Sequence, residues 1–120
     1  MSRMTTSDAV RGDNDVFLRG RLAAEPETRV LPSGDEIWTF RLTVDRAEDR
    51  KQTKARVDSI DCATHSARVR RCLDRACPGD QLEINGSLQR RFWRSAAGLG
   101  SRYEVVVGAA RLTRRRRNDA

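Results

Sequence analysis

The chain has 120 residues and a formal net charge of +7, from 24 Lys and Arg against 17 Asp and Glu. This length allows one domain whose core needs neither disulfides nor metal, and the basic charge draws such a domain to polyanions. No apolar run follows a basic start, so the sequence predicts a cytoplasmic protein without a signal peptide or membrane span, in which the three cysteines are reduced thiols.

The first predicted element is a strand that follows Asn14. Residues 1–13 are polar and aperiodic, and we expect a disordered lead-in there. In VFLRGRL, apolar residues and a glycine alternate with arginine, which is typical of a half-buried strand with a basic outer face. Two prolines and the pair Ser33-Gly34 then predict a loop or a loose hairpin.

The second predicted strand, IWTFRLTV, also has a period of two. Trp38, Phe40 and Leu42 share its apolar face, and Arg41 lies on the polar face. We therefore expect Trp38 to pack with the core or at the edge of the strand. The segment 45–56 is charged without an apolar face, which predicts a mobile hairpin loop.

A third strand and a helix follow. VDSIDCATH alternates more weakly, with Cys62 directed inward and His65 outward. From Ser66 the apolar residues recur at helical spacing instead, and Pro78-Gly79 ends this pattern. The chain therefore changes from strand to a single helix between residues 65 and 78.

Two more strands complete the pattern. QLEINGSLQRRFW directs Leu82, Ile84 and Leu88 inward, a glycine-containing turn follows, and RYEVVVGAARL is the last strand. Gly20 and Gly86 suit strongly bent strands. Three strands, a helix and two strands predict an all-β fold, the five-stranded OB-fold Greek-key barrel with one helix between strands 3 and 4.

Several motifs resemble one family. NDVFLRGRLAAEPETRVLPSG is similar to the opening of bacterial single-stranded-DNA-binding proteins, N-x-V-x-L-x-G-x-L-x-x-D/E-P-E-x-R-x-x-P-x-G. PGDQLEINGSLQRRFW resembles that family's G-x-x-V-x-V-E-G-x-L-x-x-R-x-W, and RYEV a shortened R-x-Y-x-x-E-V. The resemblance covers residues 14–113 as one OB-fold domain and leaves 114–120 as a basic tail. The chain is identified as similar to a short actinobacterial-type paralogue that lacks the acidic C-terminal tail of the family.

The resemblance implies a function and partners. It implies sequence-independent binding and protection of single-stranded DNA in replication, repair or recombination, by base stacking and phosphate neutralisation. It also implies a nucleoid-associated homotetramer or dimer that pairs through its first strand, and no recruitment of replication proteins through an acidic tail. A partner-docking module of the primosomal type and an RNA-binding barrel are the alternative functions.

The stretch LQRRFWR holds the candidate stacking residue. Gln89, Arg91 and Trp93 share one strand face, and Trp93 stands where the family has its tryptophan. His65 falls where the family has a stacking aromatic residue. The arginines predicted to contact phosphate lie on polar strand faces or in flanking loops, and they are Arg41, Arg46, Arg56, Arg91, Arg94 and Arg102.

Metal and catalytic sites are not predicted. Cys62, His65, Cys72 and Cys77 match zinc ligands in number and type. However, three residues along a strand reverse the side-chain direction, which separates Cys62 from His65, and Cys72 lies on the apolar face of the helix. The one histidine has no serine or cysteine at motif spacing and the carboxylates are scattered, so we predict neither an enzyme nor a cofactor.

Overall fold

The computed structural model describes residues 12–47 and 56–116. In chain order these form β1 (Val16–Leu22), β2 (Glu27–Val30), β3 (Glu36–Asp45), β4 (Val57–Thr64), α1 (Ala67–Asp74), β5 (Gln81–Ser95) and β6 (Gly98–Arg114). Most of the predicted lead-in and of the predicted loop 45–56 lies outside the described residues, as do residues 117–120. In the part of the chain that the structure describes, no helix has the length and apolarity needed to cross a membrane.

All strands except β2 close into a barrel. β1 pairs antiparallel with β5 and with β3, β5 pairs with β6, and β4 pairs with β3. A parallel pairing of β4 with β6, which sets Cys62 beside Val105, completes the circuit. The short β2 adds to β3 outside this circuit, where the sequence predicted a loose hairpin. The prediction of a five-stranded OB-fold barrel with one helix after its third strand is confirmed.

The core lies inside the barrel and follows the predicted alternation of each strand. The side chains that are at most 1% exposed include Leu22, Leu42, Leu82 and Ile84, from four positions that the period of two directed inward. In β1 the alternate residues Phe17, Arg19 and Arg21 are exposed. These inward positions were therefore predicted correctly, whereas Ala63 of β4, which the alternation directs outward, is buried at 1% exposure.

The predicted helix is confirmed as α1, which covers one part of this core. The Ser66 hydroxyl caps its first turn by accepting the backbone N–H of Val69 at 3.2 Å. Val69, Cys72 and Leu73 are buried and belong to the same apolar cluster as the barrel residues. The helix ends at Asp74, before the Pro78-Gly79 pair that was expected to terminate it.

Trp38 packs at the side of the core, as predicted. Its ring is partly buried and contacts the apolar cluster. The guanidinium of Arg70 from α1 lies 5.2 Å from the centre of the indole ring, close enough for a cation–π contact. Trp38 therefore links β3 to the helix.

The β5–β6 hairpin extends beyond the barrel. A bulge between Asn85 and Gly86 shifts the pairing, and a Cβ on Gly86 would lie 2.1 Å from the Val106 carbonyl oxygen, so only glycine permits this close approach. Leu88 was predicted to point inward, but it is 45% exposed, because the hairpin has passed the end of the core at this point. We call residues 88–104 the arm. Asn14 is attached to its base, where its side-chain amide donates to the Leu88 carbonyl at 2.7 Å and accepts the Leu88 N–H at 2.8 Å.

The residues after β6 are fastened to the barrel through Asp80, which is 1% exposed. The Asp80 carboxylate accepts the backbone N–H groups of Arg116 at 2.7 Å and of Cys77 at 2.8 Å. The Arg115 guanidinium lies 3.6 Å away. These donors, the Arg116 amide first among them, hold the pKa of Asp80 below its ordinary value. Residues 115 and 116, within the segment that the sequence assigned to a basic tail, thus contact the fold.

Asp80→Asn is expected to destabilise the protein in a pH-dependent way. The pKa of Asp80 is lower in the folded chain than its unfolded value of about 3.9, so the ionised carboxylate stabilises the fold above about pH 4 and this contribution is lost as the pH falls. At pH 7 the variant should lose about 1–3 kcal/mol of unfolding free energy, and the loss should shrink in acid. Urea denaturation at several pH values measures both. The control is Asp74→Asn, because Asp74 is exposed. Equal stability of the parent and Asp80→Asn at pH 7 would contradict a stabilising role of the Asp80 carboxylate.

Candidate nucleic-acid interface

One face of the arm carries the predicted stacking residue. Gln89, Arg91 and Trp93 share this face of β5, and the register of the hairpin places Glu104, Arg102 and Gly100 opposite them on β6. We call these six residues the Trp93 face. The prediction that Trp93 shares a face with Arg91 and Gln89 is confirmed.

The Trp93 indole lies against the backbone of Gly100. A Cβ on Gly100 would stand 2.5 Å from Cε2 of the indole, so the ring occupies the space that any other residue would fill. The Arg102 guanidinium lies 5.8 Å from the centre of the ring, and the tryptophan remains 39% exposed. The indole is thus held in a fixed position with surface still open to a ligand.

A chain of ion pairs continues this surface across β6, β4 and β3. The Asp61 carboxylate is shared between Arg41, with Nε–Oδ1 at 3.1 Å, and Arg102, with Nη1–Oδ2 at 3.6 Å. Arg91 lies 3.8 Å from the mostly buried Glu104, and its Nη1 is buried without a hydrogen-bond partner. The predicted arginines Arg41, Arg91 and Arg102 are therefore brought together, each beside a carboxylate of the same surface.

A groove of about 290 Å³ opens beside this ion-pair chain, where β2 approaches the sheet. Arg41, Asp61 and Arg102 line it, together with Arg29 of β2. The Nη1 atom of Arg29 is buried without a hydrogen-bond partner. The groove therefore offers donors for an anionic oxygen beside carboxylates that accept from amino groups.

Arg46 and Arg56 lie at the base of the β3–β4 loop, where the Arg46 N–H donates to the Arg56 carbonyl at 2.9 Å. Because β4 runs parallel to β6, this loop extends from the same end of the barrel as the arm. Arg46 also donates to Asp58, with Nη2–Oδ1 at 2.8 Å, and this hydrogen bond lowers the pKa of Asp58. Arg46 and Arg56 therefore lie at the end of the sheet from which the arm extends.

His65 and Arg94 lie apart from the ion-pair chain. His65 is exposed just beyond the opposite end of β4, where it lines a depression with Trp38, and the structure does not bring it to Trp93. Arg94 lies on the reverse face of the arm, one residue from Trp93. Among the described residues, Arg56 and Arg94 are the predicted phosphate contacts that have no carboxylate at ion-pair distance.

Two of the three cysteines belong to the core of the fold. Cys62 and Cys72 are buried in the apolar cluster, and Cys77 is exposed. Burial raises the pKa of Cys62 to about 12, with the charges of Asp61 and Glu104 adding to this effect. Within residues 12–47 and 56–116, no group of three or more His, Cys, Asp and Glu side chains is arranged to hold a metal ion.

The sequence analysis identified arginines of the candidate interface but did not identify its carboxylates. The signal was present, because the period of two puts Asp61 on the outer face of its strand and Glu104 on the same face as Arg102. What the sequence did not contain was the pairing of β4 with β6, which brings Asp61 to Arg102. Arg29 was also missed, because its segment was assigned to a loop or a loose hairpin.

Comparisons with known proteins agree with this architecture. The model of the "Single-strand binding protein family" matches residues 13–113. "Single-stranded DNA-binding protein 1" of Staphylococcus aureus (strain COL) is 32% identical over 85 residues, which are 71% of this chain and 51% of that protein. "Single-stranded DNA-binding protein A" of Bacillus subtilis (strain 168) is 31% identical over 85 residues, 71% of this chain and 49% of the relative. This chain therefore spans about half the length of these curated relatives.

A solved structure has a similar fold. The chain described as "Plasmodium falciparum SSB complex with ssDNA" superposes with a TM-score of 0.69 at 23% sequence identity, covering 87% of this chain and 96% of that one. This similarity supports the barrel alone, whereas the family model covers most of the sequence, including the arm and the strands that carry the ion-pair chain. The chain belongs to the single-strand binding protein family.

Proposed function

We propose that this protein binds single-stranded DNA without sequence preference and has no catalytic activity. The observation that carries the proposal is the Trp93 indole, fixed across Gly100 and still exposed, beside the guanidinium of Arg102. A base in a single strand offers its aromatic face whatever its identity, so one indole accepts every base. A duplex hides these faces within its stack.

The arginines around Trp93 supply the second part of the binding energy. Arg41 and Arg102 can turn from Asp61 to the phosphates of a nucleic-acid strand on the sheet, since exposed ion pairs are worth little in water. Arg91, 3.8 Å from Glu104, adds a cation beside them. Arg46 and Arg56 border the path at the loop, and Arg94 at the reverse of the arm. Stacking thus fixes the bases, and exchange of ion-pair partners neutralises the backbone.

The relatives support this function, because they are described as single-stranded DNA-binding proteins. We propose roles in replication, repair or recombination and a cytoplasmic, nucleoid-associated location. We further propose that the chain acts as a homotetramer or dimer through the outer face of β1, where Phe17 is 52% exposed with the Arg19 guanidinium 5.8 Å from its ring. Oligomers extend the path of one strand over several barrels and raise the overall affinity.

Titration with oligo-dT, oligo-U and a duplex of equal length tests the proposed function. We expect oligo-dT to bind more tightly than the duplex at each salt concentration. Equal affinity for the duplex would overturn the proposal. Preference for oligo-U would favour the RNA-binding alternative, and absence of nucleic-acid binding would favour a partner-docking module.

The two tryptophans are expected to give separable signals. Trp93→Ala should keep the melting temperature, lose most of the fluorescence quench on addition of oligo-dT, and weaken binding by roughly 1–3 kcal/mol. Trp38→Ala should instead retain the quench and lose about 3 kcal/mol of stability, because Trp38 packs against the core. A Trp93→Ala protein that melts early and binds like the parent would show that this ring serves the fold.

Binding is expected to depend strongly on salt. Each phosphate neutralised on a single strand contributes about −0.7 to the slope of log K against log salt. With roughly five such contacts, an increase from about 50 to 200 mM salt should weaken oligo-dT binding on the order of a hundredfold. Affinities measured at four or five salt concentrations give the slope, and a slope near zero would contradict phosphate binding by the arginines.

Asp61→Asn is expected to tighten binding, because Asp61 competes with phosphate for two guanidinium groups. The gain should be about two- to fivefold at low salt, with a steeper salt dependence. Glu83→Gln is the matched control, since Glu83 also holds two arginines, Arg19 and Arg111, away from the interface. The same titration with both variants checks this, and an equal gain from Glu83→Gln would show that only net charge matters.

A further inference from the structure

The reverse face of the arm carries a second group of exposed rings. Phe92 is 67% exposed and Tyr103 is 57% exposed, both more than Trp93 at 39%. The alternation of the hairpin puts them opposite the Trp93 face. We call this surface the Phe92 face, and its residues are Leu88, Arg90, Phe92, Arg94, Leu99, Ser101 and Tyr103.

Arg90 is fixed between the two rings. Its guanidinium carbon lies 5.5 Å from the centre of the Phe92 ring and 5.2 Å from the centre of the Tyr103 ring. Its Nη2 donates to the Ser101 hydroxyl at 2.9 Å, its Nε donates to the same oxygen at 3.2 Å, and its Nη1 donates to the Tyr103 hydroxyl at 3.4 Å. These contacts order the two rings and the cation before any ligand arrives.

The two faces of the arm differ in charge. On the Trp93 face, Arg91 and Arg102 each lie beside a carboxylate. On the Phe92 face no strand position is acidic, and the described contacts of Arg90 are with hydroxyl groups and rings. Arg94 is a further cation on this face. The Phe92 face is therefore the more cationic and the more aromatic side of the arm.

We propose that Phe92 and Tyr103, with Arg90 between them, form a second base-stacking site, so that a single strand of nucleic acid passes around the arm and contacts both of its faces. This inference rests on the proposed function. An ordered guanidinium beside two open rings can pair with a phosphate while the adjacent bases stack on the rings. Phe92 is adjacent to Trp93 in β5, so one nucleic-acid strand can reach both faces of the arm.

The charges of the face favour a polyanion over a second copy of the chain. A symmetric contact between two copies would bring Arg90 and Arg94 of one arm toward the same residues of the other. That arrangement opposes like charges with no acidic strand position to offset them. A phosphate backbone meets the same cations with opposite charge.

Leucine substitutions test the site, because leucine keeps an apolar side chain but removes the ring. The test protein carries both Phe92→Leu and Tyr103→Leu, and we call it the leucine pair. The matched control, the ring-preserving pair, carries both Phe92→Tyr and Tyr103→Phe. Affinity for labelled oligo-dT is measured by fluorescence anisotropy at fixed salt, and the Trp93 quench at saturation is recorded separately. Sedimentation gives the mass of the free proteins.

We expect the leucine pair to bind oligo-dT about 5- to 150-fold more weakly per stacked base, and the ring-preserving pair to bind like the parent. The maximal Trp93 quench and the salt slope should be unchanged, because neither Trp93 nor an arginine is removed. Both pairs should melt like the parent, since the rings are exposed.

Three outcomes would overturn the inference. Parental affinity of the leucine pair, with a parent that binds oligo-dT, would remove the second site and leave the proposed function standing. A change of mass in the leucine pair alone would identify the Phe92 face as a contact between copies. A parent that fails to bind oligo-dT would overturn the proposed function and this inference with it.

Discussion

The interface depends on one mismatch of length, because β5 and β6 are longer than the barrel that they help to close. They have 15 and 17 residues, whereas β1 has 7 and β4 has 8. Gly86 lets β5 and β6 approach each other closely at the end of the core, where a Cβ at this position would collide with the Val106 carbonyl oxygen. Beyond that point the ladder continues without a core beneath it. Residues that would be inside a longer barrel are exposed on the arm, which therefore has two faces open to a ligand.

The electrostatic potential of the candidate interface depends on the carboxylates that pair with its arginines, and not on the number of arginines alone. Asp61 and Glu104 lie among the guanidinium groups of the sheet, where Asp61 pairs with two exposed arginines and the mostly buried Glu104 lies beside Arg91. They also reduce the local positive potential, so under the proposed function a nucleic-acid strand must compete with these carboxylates for the arginines. Under the proposed function, this competition favours a ligand that offers many phosphates in a row over isolated anions.

The sequence predicted the barrel well because its signals are local. The period of two fixed which residues face the core, and the change to helical spacing at Ser66 placed α1 correctly. Leu88 was assigned to the core because its parity is right, but parity does not reveal where a barrel ends. For the candidate site, the alternation of side chains along β5 correctly predicted which residues share a face with Trp93. The carboxylate partner of Arg102 did not, because it comes from the parallel β4–β6 pair, which joins distant parts of the chain.

The alternation of side chains along a strand also produces the two aromatic faces of the arm, and it explains the arrangement of residues from Arg90 to Arg94. Adjacent residues of a strand point in opposite directions, so Phe92 and Trp93, side by side in sequence, lie on opposite faces of the arm. Each has an arginine of β5 on its own side, Arg90 with Phe92 and Arg91 with Trp93. Glycine at position 100 is then required on one face, where the indole covers the backbone, and Tyr103 adds a ring on the other. A strand buried on one face would need aromatic residues on that face alone, so a hairpin with rings and cations on both is suited to a ligand that surrounds it.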